Sequence, residues 1–180
     1  TDWGRSTGPA GVFDDYSSNA GPMVRENRMS TNAINGMEIR GGTLATESIW
    51  DDVDIVHVLR DEIIVPNFMH FGGLRLESTA TQSLVVKLLG DDAGFTATGT
   101  PLEIDDRIGG TIQLLGKPGH PVILTSLHDD TVGAGFDLRN RVQYDTNNNS
   151  TATSPRPGDW RSVKLEQYSN DRNVATIIES

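Results

Sequence analysis

The chain has 180 residues, with 25 Asp and Glu against 15 Lys and Arg, a formal net charge of −10 and no cysteine. That length suits one domain with a real core, and basic residues scattered over so acidic a chain argue against a phosphate backbone, so no nucleic-acid partner is expected. Lack of cysteine removes disulfide frameworks and thiolate metal sites, and no run approaches the roughly 18 apolar residues of a membrane helix, so no membrane insertion is expected.

Residues 1–21 carry no regular pattern and read as an irregular N-terminal segment or cap. The chain opens on Thr1-Asp2-Trp3 with neither Met nor a signal peptide, which is expected of a mature product or a piece of a longer chain. From residue 22 to 180 short apolar stretches recur in chain order: Met37 to Ile39, Asp54 to Leu59, Ile63 to Val65, Leu74 to Leu76, Leu84 to Leu88, Phe95 to Ala97 and Leu102 to Ile104. Thr111 to Leu115, Val122 to Leu124, Val163 to Leu165 and Val174 to Ile178 follow. Each is short, rich in β-branched side chains, and several alternate with period two, which predicts strands. Turn chemistry fills the gaps at Gly41-Gly42, Gly72-Gly73, Gly90-Asp91-Asp92, Gly109-Gly110 and Lys117-Pro118-Gly119, and no stretch offers a long helical period.

Strand starts between residues 63 and 124 recur at roughly ten to eleven residues, the spacing of two or three short strands per turn of a solenoid. A sandwich or barrel has similar spacing. Two details favour the solenoid. Pro22 to Arg40 has the form of one such turn, with V-x-x-N, then N-A-I-x-G, then a strand; an inward Asn at a corner can bond backbone groups of neighbouring turns, and Gly lets the chain bend without a side-chain clash. The other is the final strand, Val174 to Ile178, with nothing after it to cap a stack. The expected fold is therefore all-β, a right-handed parallel β-helix over residues 22–180 with one long loop at 128–159.

The phrases N-A-I-N-G-M-E-I-R-G-G (32–42), V-I-L-T-S-L-H-D-D (122–130) and D-T-N-N-N-S…P-R-P-G-D-W-R-S-V (145–163) carry a family resemblance. Residues 22–180 resemble the right-handed β-helix segments of large, secreted, adhesin-like bacterial surface proteins of the pectin-lyase-like superfamily. The resemblance implies an extracellular or cell-surface location, and a strand of the type V-I-L-T-S followed by a long loop that closes with P-G-D-W.

Within that loop Asp145, Asn147 and Asn149 place oxygen-bearing side chains at alternate positions, as in the first half of a calcium loop. Ser150 replaces the usual glycine and Arg156 stands where the last acidic ligand belongs, so a solvated Asn-rich turn is the plain alternative. Paired aspartates recur at Asp14-Asp15, Asp51-Asp52 with Asp54, Asp91-Asp92, Asp105-Asp106 and Asp129-Asp130. Enzymes of the superfamily use carboxylates on a β-helix face, which makes Asp105, Asp106, Arg107 and Asp129 the candidates for a lyase or hydrolase cleft. Aspartate in turns also simply caps backbone amides. The N-T-D, G-H-G and R-I-K elements of the polygalacturonase type and a G-x-S-x-G elbow are absent, and His57, His70, His120 and His128 lack metal-ligand spacing, so no catalytic residue is assigned. Trp3, Trp50, Trp160, Tyr16, Tyr144 and Tyr168 could stack on sugars, with packing as the alternative; Trp160 is expected to pack the long loop down.

The function expected is a non-enzymatic structural or adhesive module, assembling end to end through Val174, Thr176, Ile177 and Ile178 with other copies or the remaining turns of a longer parent chain, and stiffened by calcium. The alternative is a carbohydrate-active β-helix or a glycan-binding module, with a polysaccharide as partner.

Overall fold

A computed structural model describes residues 21–22, 24–67, 73–99, 109–169 and the backbone of 177–179. Twelve strands lie there: β1 (Met37–Ile39), β2 (Gly42–Thr43), β3 (Ser48–Trp50), β4 (His57–Leu59), β5 (Glu62–Val65) and β6 (Leu74–Glu77). They continue as β7 (Leu84–Leu88), β8 (Gly90–Ala97), β9 (Ile112–Leu115), β10 (Val122–Ser126), β11 (Trp160–Leu165) and β12 (Ile177–Glu179). Among the described residues there is no helix.

The strands form three four-stranded sheets, ordered β1-β4-β7-β10, β2-β5-β8-β11 and β3-β6-β9-β12. Every neighbouring pair is parallel. Parallel neighbours need a long return path, and here the chain returns by visiting the other two sheets. Register is kept along each sheet: Met37, His57, Val86 and Leu124 share one row, and Gly42, Ile63, Phe95 and Val163 another.

Alternation decides what each row faces. In β6 and β9, Leu74, Leu76, Ile112 and Leu114 are buried while Arg75 and Gln113 lie on the other face and bond to each other at 2.9 Å. Inward rows from all three sheets build one core, including Ile63, Val65, Leu84, Val86, Leu88, Phe95 and Ala97. At its centre Trp50 of β3 stacks on His57 of β4, ring centroids 5.4 Å apart, and meets the edge of Phe95 of β8 at 5.7 Å. One ring comes from each sheet.

The inner strands of the first sheet, β4 and β7, are buried on both faces. Val58 and Val85 join Val56 and Leu127 in a second apolar cluster on the side away from the main core. This cluster exists because residues 127–159 and 24–36 lie over that side, so the strand Leu84–Leu88 is apolar at both parities apart from Lys87. Sequence and structure part at a few places. β2 and β3 lie in a region where no strand is predicted, and Gly90-Asp91-Asp92, expected as a turn, opens β8. The backbone there pairs with β11, whose Trp160 lies opposite Gly90 and packs against the main core. Leu102 to Ile104 and residues 174–176 lie outside the described residues.

Candidate functional site

The chemistry gathers on the covered side of the first sheet. Asn35 is buried and serves the long loop: its Nδ2 donates to Asp145 O at 3.3 Å and its backbone N to Thr146 O at 2.7 Å. Gly36 follows because a Cβ there would stand 2.8 Å from Val56 O. Residues 24–26 are held down by carboxylates of the turn after β3. Asp52 accepts from Val24 N at 3.0 Å and Asp54 accepts from Glu26 N. Asp52 is 1% exposed, and burial, opposed by the Val24 bond, pushes its carboxyl up to about 6. Burial also raises Asp51, against the attraction of Arg25.

Beneath the loop sits Lys87, fully buried, its Nζ donating to Tyr144 O at 2.8 Å. Burial lowers its pKa to about 8, against the pull of Asp130, Asp129 and Asp145. Burial, then the charge of Asp145, raises Asp130. On Asp129 burial acts upward too, but bonds from Thr125 and Thr131 outweigh it and hold the carboxyl below its usual range. Asp129 is thus spent on a turn, accepting from Thr125 Oγ1 at 2.6 Å and Thr131 N at 2.9 Å. Three carboxylates and an amine do share a neighbourhood, but the amine is covered by the loop rather than open to a substrate. Asp105, Asp106 and Arg107 lie outside the described residues.

The Asn-rich segment folds as a tight loop. Both oxygens of Asp145 cap it, accepting from Asn149 N at 3.0 Å and Ser150 N at 2.8 Å. The amide nitrogens of Asn147 and Asn149 turn to Thr153 Oγ1, at 3.5 and 2.7 Å, and His128 Nδ1 lies 2.9 Å from that hydroxyl. The amide oxygens of both asparagines are buried without a hydrogen-bond partner, as is Oδ1 of Asp130. No group of three or more His, Cys, Asp or Glu that could hold a metal occurs among the described residues, so a cation here would depend on those amide oxygens.

The other aromatic and histidine candidates divide clearly. Trp50 and His57 are core rings, and neither nitrogen of His57 has a hydrogen-bond partner of full geometry. Burial takes its pKa down to about 4, only partly offset by the nearby Ile55 backbone. His120 closes the turn with Lys117 through its backbone. Trp3, Tyr16 and His70 lie outside the described residues, whereas Tyr144 is exposed and lines a groove of about 500 Å³ with Thr31, Asp137, Arg141 and Asn148 among others. Thr31 and Asn148 both adopt left-handed backbone, φ 60° and 54°, a conformation that costs a β-branched residue in particular.

No family model, curated protein or solved structure matches the chain. The site therefore rests on its own geometry. Two features escape the pattern reading. Lys87 interrupts a run, Leu84 to Leu89, that is apolar at both parities, and that is the signal of a lysine in a strand buried on both faces. The other is a hairpin in which Phe136 and Val142 pair antiparallel; Asp137 organises its tip by accepting from Arg139 N, Arg141 N and Arg141 Nε at 2.8 to 2.9 Å. Its sequence signal is Asp137 with Asn140, a turn-forming pair.

Proposed function

We propose that the chain is a non-enzymatic structural module of a secreted or cell-surface protein, a right-handed parallel β-helix of the pectin-lyase-like type that extends by stacking end to end. The observation that carries this reading is the repeated order of the three sheets, each taking every third strand in parallel register. A chain that winds through three faces in turn produces that order, and right-handed crossovers are the rule for parallel strands. β10, β11 and β12 are edge strands, whose free backbone groups suit pairing with a further turn or a second copy. Of the residues assigned to assembly, Ile177 and Ile178 lie in β12, while Val174 and Thr176 lie outside the described residues.

Turn-bound Asp129 and Asp145 and a loop-covered Lys87 support a scaffold over a hydrolase or lyase. In the same reading calcium stiffens the Asn-rich loop, through the unpartnered amide oxygens of Asn147 and Asn149. Small-angle scattering of the full chain tests the whole: the scaffold predicts an elongated particle with a constant cross-section that lengthens by whole-chain increments as concentration rises. A compact profile with no lengthening refutes it. For calcium, the melting midpoint should rise with the ion and fall with a chelator; an unchanged midpoint removes the ion.

Exposed Tyr144 beside Arg141 on the 500 Å³ groove favours glycan binding without turnover as a second reading. A glycan array on the wild type and Tyr144→Ala decides it: a ligand retained equally by both counts against the groove.

A further inference from the structure

The hairpin at residues 135–143 is built to present its tip. Gly135 takes φ 73° where a Cβ would stand 2.2 Å from Asp54 O, so the hairpin sits directly on the turn after β3. Arg28 holds its flank, with the guanidinium 6.0 Å from the Phe136 ring centroid and Nη1 donating to Asn140 Oδ1. On this rigid base Leu138 is 73% exposed, and Phe136, Val142 and Tyr144 are exposed around it. Apart from Leu165 these are the exposed large apolar residues of the described chain. A soluble surface rarely gathers its apolar side chains so closely without a partner.

Charge says which partner. The chain carries −10 overall, yet the tip presents Arg139, with no ion partner among the described residues, beside the Asp137–Arg141 pair. Against the hairpin's flank runs a groove of about 380 Å³ lined by Glu26, Asn27, Arg28, Asp54, Gly135 and Phe136. Arg28 is turned to Phe136 and Asn140 and Asp54 accepts from Glu26 N, which leaves the Glu26 carboxylate and the aromatic wall to a knob made of Leu138 and Arg139. Knob and socket lie on one surface, so the patch is complementary to itself, the condition for a two-fold contact.

We infer that this surface binds a second copy of the chain, Leu138 of each seating beside Phe136 of the other and Arg139 of each pairing with Glu26 of the other. The contact is lateral and separate from the end-to-end stacking proposed above, so either can fail alone. Sedimentation equilibrium of the full chain, from low micromolar to several hundred micromolar, tests it. Wild type should approach twice the monomer mass. Arg139→Glu sets a carboxylate against Glu26, and Glu26→Lys sets an ammonium against Arg139; each should weaken the dimer by about tenfold or more. Mixing the two variants restores opposite charges across the contact and should restore the dimer; Leu138→Asp should stay monomeric. A wild type that is monomeric at every concentration overturns the inference, as do variants that dimerise like wild type or a mixture that stays monomeric. Species heavier than a dimer that persist in Arg139→Glu belong to end-to-end stacking and leave the lateral contact to be judged by the mixing arm.

Discussion

Asp52 and His57 lie in the same turn-and-strand region and push acid stability in opposite directions. Asp52 is raised from 3.8 to about 6, chiefly by burial. The native state therefore holds its proton more tightly than the unfolded chain, and the ionised carboxylate is a cost that is complete above about pH 6 and absent below 3.8. At about 1.4 kcal/mol per pH unit, acidification relieves about 3 kcal/mol. His57 is lowered from 6.5 to about 4, again by burial. Its neutral ring contributes stability fully present above 6.5 and lost as pH falls to 4, again about 3 kcal/mol. Between about pH 4 and 6 the two slopes nearly cancel.

The substitution Asp52→Asn removes one slope while its amide oxygen can still accept from Val24 N. The variant should be more stable than wild type at pH 7, by up to about 3 kcal/mol less the loss of a charged acceptor, and the difference should shrink toward zero by about pH 4. His57→Phe, which keeps a ring on Trp50, should show the reverse sign of slope, its advantage over wild type growing as pH falls from 6.5 to 4. Urea denaturation at half-unit pH steps measures both, and taking differences from wild type cancels every unperturbed carboxylate. A difference between Asp52→Asn and wild type that stays flat within about 0.5 kcal/mol from pH 4 to 7 refutes the reasoning.

Lys87→Met removes the donor to Tyr144 O and the compensating charge beside three aspartates, so it should cost about 3 kcal/mol, with hydrogen exchange rising first across residues 128–147. Because Lys87 is lowered to about 8 from 10.5, wild type should gain stability on its account as pH rises from 8 to 10.5, and the variant should lack that rise. Phe95→Ala opens a cavity where all three sheets meet and should cost about 3 to 5 kcal/mol by denaturant titration. Asp137→Ala should free the amides of Arg139 and Arg141 to exchange while leaving the exchange of β7 and β8 unchanged.

Strands were legible where their signal is local. Leu74-Arg75-Leu76 and Thr111 to Leu115 alternate, Leu84 to Leu88 is apolar apart from Lys87, and each forms a strand within a residue of its expected bounds. The spacing of Asp145, Asn147 and Asn149 offered a calcium half-loop or an Asn-rich turn, and the structure shows a turn with Asp145 as its cap, the calcium reading resting on the melting test above. β2 and β3 escaped because Gly42–Thr43 and Ser48–Trp50 have little pattern of their own; they are strands because Ile63 and Leu74 lie beside them.

The amino-acid sequence by itself determined the all-β class, most strand positions and which parity of each strand is apolar, since those depend on side chains adjacent in the chain. Pairing partners, the burial of Lys87 and Asp52, and the hairpin that presents Leu138 were decided only by tertiary structure. Each depends on segments far apart in the chain: β11 must travel back to β8, and residues 24–36 and 127–159 must meet over the first sheet before an ordinary lysine or aspartate loses its water and its charge becomes costly.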